Sequence, residues 1–202
     1  MKRIAFATAL AALLAACATS KLPERFHTLV PADAGLGPAQ AASAPRGAAA
    51  PVYVDVLPVS IPPQVDHAQW AVRQPDDSLL LLEQDRWAAP LQDELRGAIV
   101  ARLTSQWGAV DVRGVAPPQA SVWRVRVDVQ RFESVPGREA RIEAAWSVLS
   151  TQRGTAALVC RSVLQEPAAQ ASIPALAEAH RRAVTRLADE IGRHIKSGST
   201  SC

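Results

Sequence analysis

Trp123-Arg124-Val125-Arg126-Val127-Asp128-Val129-Gln130 alternates apolar and polar residues without a break. Successive side chains of an extended strand point to opposite faces, so Trp123, Val125, Val127 and Val129 predict a core face and Arg124, Arg126, Asp128 and Gln130 a wet one. Pro136-Gly137 then marks a turn, and Ile142, Ala144, Trp146 and Val148 alternate again. Arg153-Gly154 marks a second turn, after which Thr155 to Gln165 returns as a third strand. Three strands joined by short turns make an antiparallel meander, and the meander decides the class: the chain is built on a sheet. Trp123 and Trp146 share its apolar faces and are expected in the core.

The flanks add helices. Upstream, Val110 to Val112 is a short strand, preceded by a helix that opens after Pro90 and stops at Gly108. Leu91, Leu95, Ala98, Ile99 and Leu103 recur on one face of it, with Trp107 at its end, while Gln92, Asp93, Arg96 and Arg102 fall mostly opposite. Pro75-Asp76-Asp77-Ser78 joins Trp70 to Arg73 with Leu79 to Glu83 as a hairpin, and Val52 to Leu57 has the β-branched density of an inner strand. Glu24 to Val30 is a first β-prone run. Between it and Val52, residues 32–51 are nearly all Ala, Gly, Pro, Ser and Gln, which predicts a flexible connector. Downstream, Ser172 and Pro174 open a second helix with a stripe of Leu176, His180, Ala183, Val184, Leu187, Ile191 and Ile195, closed by Gly198. The expectation is an α/β fold with a mixed, largely antiparallel sheet and two main amphipathic helices.

No catalytic motif emerges. There is no Gly-x-Ser-x-Gly, His-Glu-x-x-His, phosphate loop or Cys-x-x-Cys, and the histidines at 27, 67, 180 and 194 lack metal-ligand spacing. His180 lies on the apolar stripe and reads as a core or boundary histidine in preference to a ligand. Asp76-Asp77 suits turn formation better than acid/base chemistry. No catalytic residue, metal or cofactor is expected, and a binding or bridging role is. Five tryptophans stand against one tyrosine. Trp70, Arg86 and Trp87, next to loops, are the candidate partner surface.

The first residues bear on location. Lys2 and Arg3 precede an apolar run from Ile4 to Ala16, an export signal too short to span a bilayer as a helix. It closes on Leu14-Ala15-Ala16-Cys17, which resembles the lipobox of bacterial lipoproteins. The resemblance implies cleavage before Cys17, a covalent lipid on its thiol and amine, and firm anchoring without a spanning helix. Ala18, in place of Asp, implies sorting to the periplasmic face of the outer membrane. The expected organisation is a signal peptide over 1–16, a lipid-anchored N-terminus over 17–25, and one α/β domain over 26–202 that includes the connector. Of 22 Lys and Arg residues, Lys2 and Arg3 leave with the signal, so 20 remain against 19 Asp and Glu. A near-neutral chain without a basic block excludes nucleic acid as partner. An oxidising compartment permits Cys160 and Cys202 to pair, or Cys160 is a small buried hydrophobe; both readings stand open.

Asp85-Arg86-Trp87-Ala88-Ala89-Pro90-Leu91, running into the helix, is similar to the PqiC-like ABC-type transport auxiliary lipoproteins, the membrane integrity-associated transporter subunits. The lipobox, Phe26-His27-Thr28-Leu29, the Val52 strand with Pro58 and Pro62, the Val125 strand, Ala145-Trp146 and the terminal helix stand in family order. The resemblance implies a fold like the N-terminal domain of TolB. It also implies a non-catalytic adaptor that docks a periplasm-spanning lipid transporter, built of MCE-domain proteins, at the outer membrane, with assembly as a homo-oligomeric ring among the expectations. Two other readings remain: a lipid-binding or envelope-assembly lipoprotein that works alone, and an enzyme whose site is assembled from scattered residues.

Overall fold

The computed structural model of the chain describes residues 23–32, 51–115, 120–152, 154–198 and 201–202. The signal segment, Cys17, nearly all of the connector and Pro117-Pro118 lie outside the described residues.

The strands divide between two sheets, where alternation and turns alone predict one. Strands β1 (Arg25–His27), β3 (Gln69–Arg73) and β4 (Leu79–Trp87) form the smaller, in the order β1-β4-β3. The larger comprises β2 (Val52–Val56), β5 (Ala109–Asp111), β6 (Val122–Val135), β7 (Glu139–Ser150) and β8 (Leu158–Pro167), in the order β5-β2-β6-β7-β8. Strands β6, β7 and β8 are the antiparallel meander, while β2 runs parallel to both β5 and β6 and sits inside the sheet. Strands β3 and β4 are the hairpin expected around Pro75 to Ser78. At its turn Asp76 Oδ1 accepts from the Ser78 backbone N–H at 3.0 Å and hydroxyl at 2.6 Å, and Asp77 takes a left-handed φ of 65°.

Helix α1 (Leu91–Trp107) ends at Gly108, whose left-handed φ of 64° lets its N–H reach the Thr104 carbonyl. Helix α2 (Ile173–Ser197) starts at Ser172, whose hydroxyl accepts from the Ala175 N–H, and stops at Gly198 with φ of 63°. The two helices pack on each other and α2 lies over β7 and β8. Arg102 makes a two-pronged bond to Asp189 at 2.8 and 2.9 Å, and Trp107 Nε1 donates to the same carboxylate at 3.1 Å. The close approach depends on Gly192, where an added Cβ would sit 2.5 Å from Trp107 Nε1.

A bulge in β6 changes which of its residues face the core. The pairing slips between Val129 and Arg131, which inserts one residue and reverses the faces beyond it. Val125, Val127 and Val129 point into the core, and after the slip so do Phe132 and Ser134. Trp146 is buried as expected, while Trp123 is half-buried at the core's margin.

Candidate functional site

The short strand β1, the first described element of the chain, is fastened to the body at several points. Arg25 Nη2 donates to Asp85 Oδ2 at 2.6 Å, and His27 lies 2.8 Å from Asp85 Oδ1 through Nε2. A carboxylate only accepts, so His27 Nε2 carries the proton. Burial pushes the Asp85 carboxyl up, but the bonds from Arg25 and His27 outweigh it and hold it below the usual carboxylate range. One residue further, Glu94 Oε2 accepts from the Thr28 hydroxyl at 2.6 Å and the Leu29 backbone N–H at 2.8 Å. Glu94 is buried on the apolar face of α1, between Leu91 and Ala98. Its signal in the sequence is a charged residue three positions after Leu91, on the same stripe, which a search for apolar periodicity does not single out. Arg181 of α2 closes the clamp by donating to the Thr28 carbonyl at 3.1 Å.

Behind β1 lies an aromatic and polar cluster. The Trp70 and Trp87 rings stack at 4.0 Å between centroids, as do Phe132 and His180. Trp70 Nε1 donates to Ser134 Oγ at 3.0 Å, and Ser134 shares a 2.9 Å hydrogen bond with His180 Nε2. His180 is wholly buried, and that burial pushes its pKa down to about 3. His180 is therefore a neutral core residue, in line with the core reading of the stripe.

The same cluster corrects the expected partner surface. Trp70 is 0% and Trp87 5% exposed, so neither indole is offered to a partner. Both flank loops in sequence, but α2 and the far half of β6 cover them through His180 and Phe132, which no local pattern reveals. Of the three candidates only Arg86 remains partly exposed, paired with Glu24 at 3.2 Å. Cys17 lies outside the described residues.

Cys160 of β8 and Cys202 are joined by a disulfide that spans 42 residues and brings their Cα atoms to 5.8 Å. It borders an open groove of about 850 Å³ between the end of α2 and the larger sheet. Trp107 and Trp146 line its apolar part, and Arg193, His194 and Lys196 line it from α2. On its floor Trp146 Nε1 donates to Ser162 Oγ at 2.8 Å, and Ser162 donates in turn to Glu190. Among the described residues no three His, Cys, Asp or Glu side chains gather as a metal-binding group, and no helix is long and apolar enough to cross a membrane.

Comparison with known proteins adds a family. No curated protein matches the chain. Among solved structures, one of an uncharacterized protein aligns with a TM-score of 0.60 at 19% identity, over 71% of this chain and 92% of its own. Protein XCC0632 from Xanthomonas campestris, of the DUF330 family, aligns with a TM-score of 0.55 at 24% identity, over 73% of this chain and 85% of its own. At such identities the likeness shows a shared fold. Residues 35–192 match the family model described as the ABC-type transport auxiliary lipoprotein component, and because that match spans most of the sequence, this chain belongs to that family.

Proposed function

We propose that the protein is a non-catalytic adaptor, anchored through a lipid on Cys17 to the periplasmic face of the outer membrane, that serves an MCE-type lipid transport system and so supports envelope integrity. The observation that carries the reading is the family match over residues 35–192, a family of auxiliary lipoproteins of ABC-type transport. The structure is compatible with that role. The strand nearest the anchor is clamped by Asp85, Glu94 and Arg181, so a pull on the lipid is transmitted to the helices and not lost in a loose arm. A photo-reactive residue in place of Gln92 or Asp93, on the exposed side of α1, tests the partnership in cells. An MCE-domain protein captured there, together with palmitate labelling that Cys17→Ala abolishes and sedimentation with outer membranes, is the expected result. Labelled protein that captures no transporter component refutes the adaptor role.

The groove beside Trp107 and Trp146 favours a second reading, a lipid-binding or envelope-assembly lipoprotein that works alone. Its apolar indoles beside the cations of Arg193 and Lys196 suit an amphiphile with an anionic head. Recovery of phospholipid, and of no protein, from the native purified lipoprotein is what that reading requires.

A further inference from the structure

Among the described residues, the smaller sheet carries apolar side chains that nothing covers. Phe26 of β1 is 61% exposed, and Leu79, Leu80 and Leu81 of β4 are 40 to 47% exposed. Leu79 and Leu81 stand opposite Arg73 and Ala71, on the face turned away from the buried Trp70 and Val72. Phe26 stands opposite Arg86, on the adjoining strand. Chain direction relates this surface to the anchor. Strand β1 runs parallel to β4, Arg25 beside Asp85, so the chain that enters β1 comes from the end of the sheet where the β3–β4 hairpin turns. Cys17 stands eight residues before Arg25. At about 3.4 Å per residue those eight residues span at most roughly 27 Å. The six steps along β4 from Asp85 back to Leu79 take up about 20 Å of that length. An acylated Cys17 therefore reaches little beyond the hairpin even when fully extended. The clamp on β1 forbids β1 from peeling away to lengthen the tether.

We infer that the exposed face of the smaller sheet, with Phe26, Leu79 and Leu81, rests against the phospholipid leaflet that holds the anchor. This inference relies on the lipid at Cys17 and goes beyond it by fixing which face meets the bilayer. The apolar side chains bury area against the lipid, while Asp76 and Asp77 at the turn stay in the headgroup water. A larger partner then meets the opposite side of the molecule, where the helices lie.

The test uses the full-length lipoprotein in its own membrane, with a photo-reactive phenylalanine analogue in place of Leu81, Leu79 or, on the other sheet, the half-exposed Val163. Labelled palmitate is followed in the same samples. Lipid adducts at Leu81 and Leu79 with background yield at Val163 are expected. With palmitate present, a protein adduct or none at Leu81 and Leu79 overturns the inference and leaves the anchor standing, and equal lipid adducts at all three positions overturn it as well. Absence of palmitate removes the anchor and the inference together. Agreement between the Leu79 and Leu81 probes guards against a single substituted site that perturbs the hairpin.

Discussion

Acidification should weaken this protein through one residue, His180. Its ordinary pKa is 6.5, and burial between Phe132, Trp70 and Ser134 pushes it down to about 3 in the folded chain. The unfolded chain binds a proton near pH 6.5 that the folded chain refuses, so stability rises with pH throughout that window. The contribution is complete above the unfolded value and is lost as pH falls toward the folded one. Between pH 7 and pH 5 the loss is about 2 kcal/mol, and it reaches about 4 kcal/mol at pH 3. Against a typical total of about 5–15 kcal/mol, that is a large share. The carboxylates of Asp85, Glu166 and Asp189 are held below their usual range, so their own losses begin at lower pH and leave the interval from 5 to 7 clear. Urea unfolding followed by tryptophan fluorescence at pH 7 and pH 5 reads the difference. His180→Leu removes the titration and fills the space, and His180→Gln removes it while keeping a polar atom for Ser134. Either variant, whatever it costs at pH 7, should lose about 2 kcal/mol less than the parent on acidification. If parent and both variants lose equal stability, His180 is not a neutral buried base in the folded protein.

The packing gives three further expected outcomes. Glu94→Ala strands the buried Leu29 N–H and should destabilise by about 2–3 kcal/mol, with faster hydrogen exchange at Leu29 and easier proteolysis around residues 24–30. Cys160 and Cys202 should show no reactive thiol in the denatured, unreduced protein, and reduction should lower stability by up to about 4 kcal/mol, the entropy of a loop of that length. Gly192→Ala forces Trp107 off Asp189 and should cost about 1–3 kcal/mol, with a shift in tryptophan emission that a control Gln92→Ala, on the exposed side of α1, does not reproduce.

Local chemistry made much of the fold visible. The alternation from Trp123 to Val129, the turns at Pro136-Gly137 and at Asp76-Asp77, the serine at 172 and the glycines at 108 and 198 act over a few residues, and each does in the structure what its spacing predicts. What escaped was contact between distant segments. Trp70 and Trp87 look available in the sequence because their covers, Phe132 and His180, lie far along the chain. The parity break that turns Phe132 inward did leave a trace: Gln130 and Arg131 are two polar residues in succession within an alternating strand, and the inserted residue is there. The division into two sheets left no such trace, since it rests on which distant strands pair, β1 with β4 in one sheet and β2 with β5 and β6 in the other.

That pairing changes what the tether is. By composition, residues 32–51 link a first strand to the main body and give the anchored end its reach. Once β1 is bonded to Asp85, Glu94 and Arg181, it belongs to the body, so the connector joins two segments that are both held in the fold. With the proposed lipid on Cys17, the connector's length does not set the distance between lipid and domain. Only the seven residues from Ala18 to Glu24 do, and they extend no further than roughly 25 Å. On the proposed anchoring, a domain held that close to the bilayer does not sample the width of the periplasm, and a transporter component that it serves would meet it at the membrane. Shortening the connector within 33–50 should then leave partner capture unchanged, whereas Asp85→Ala with Glu94→Ala, which frees β1, should lengthen the effective tether and blur the contact pattern of the Leu81 probe.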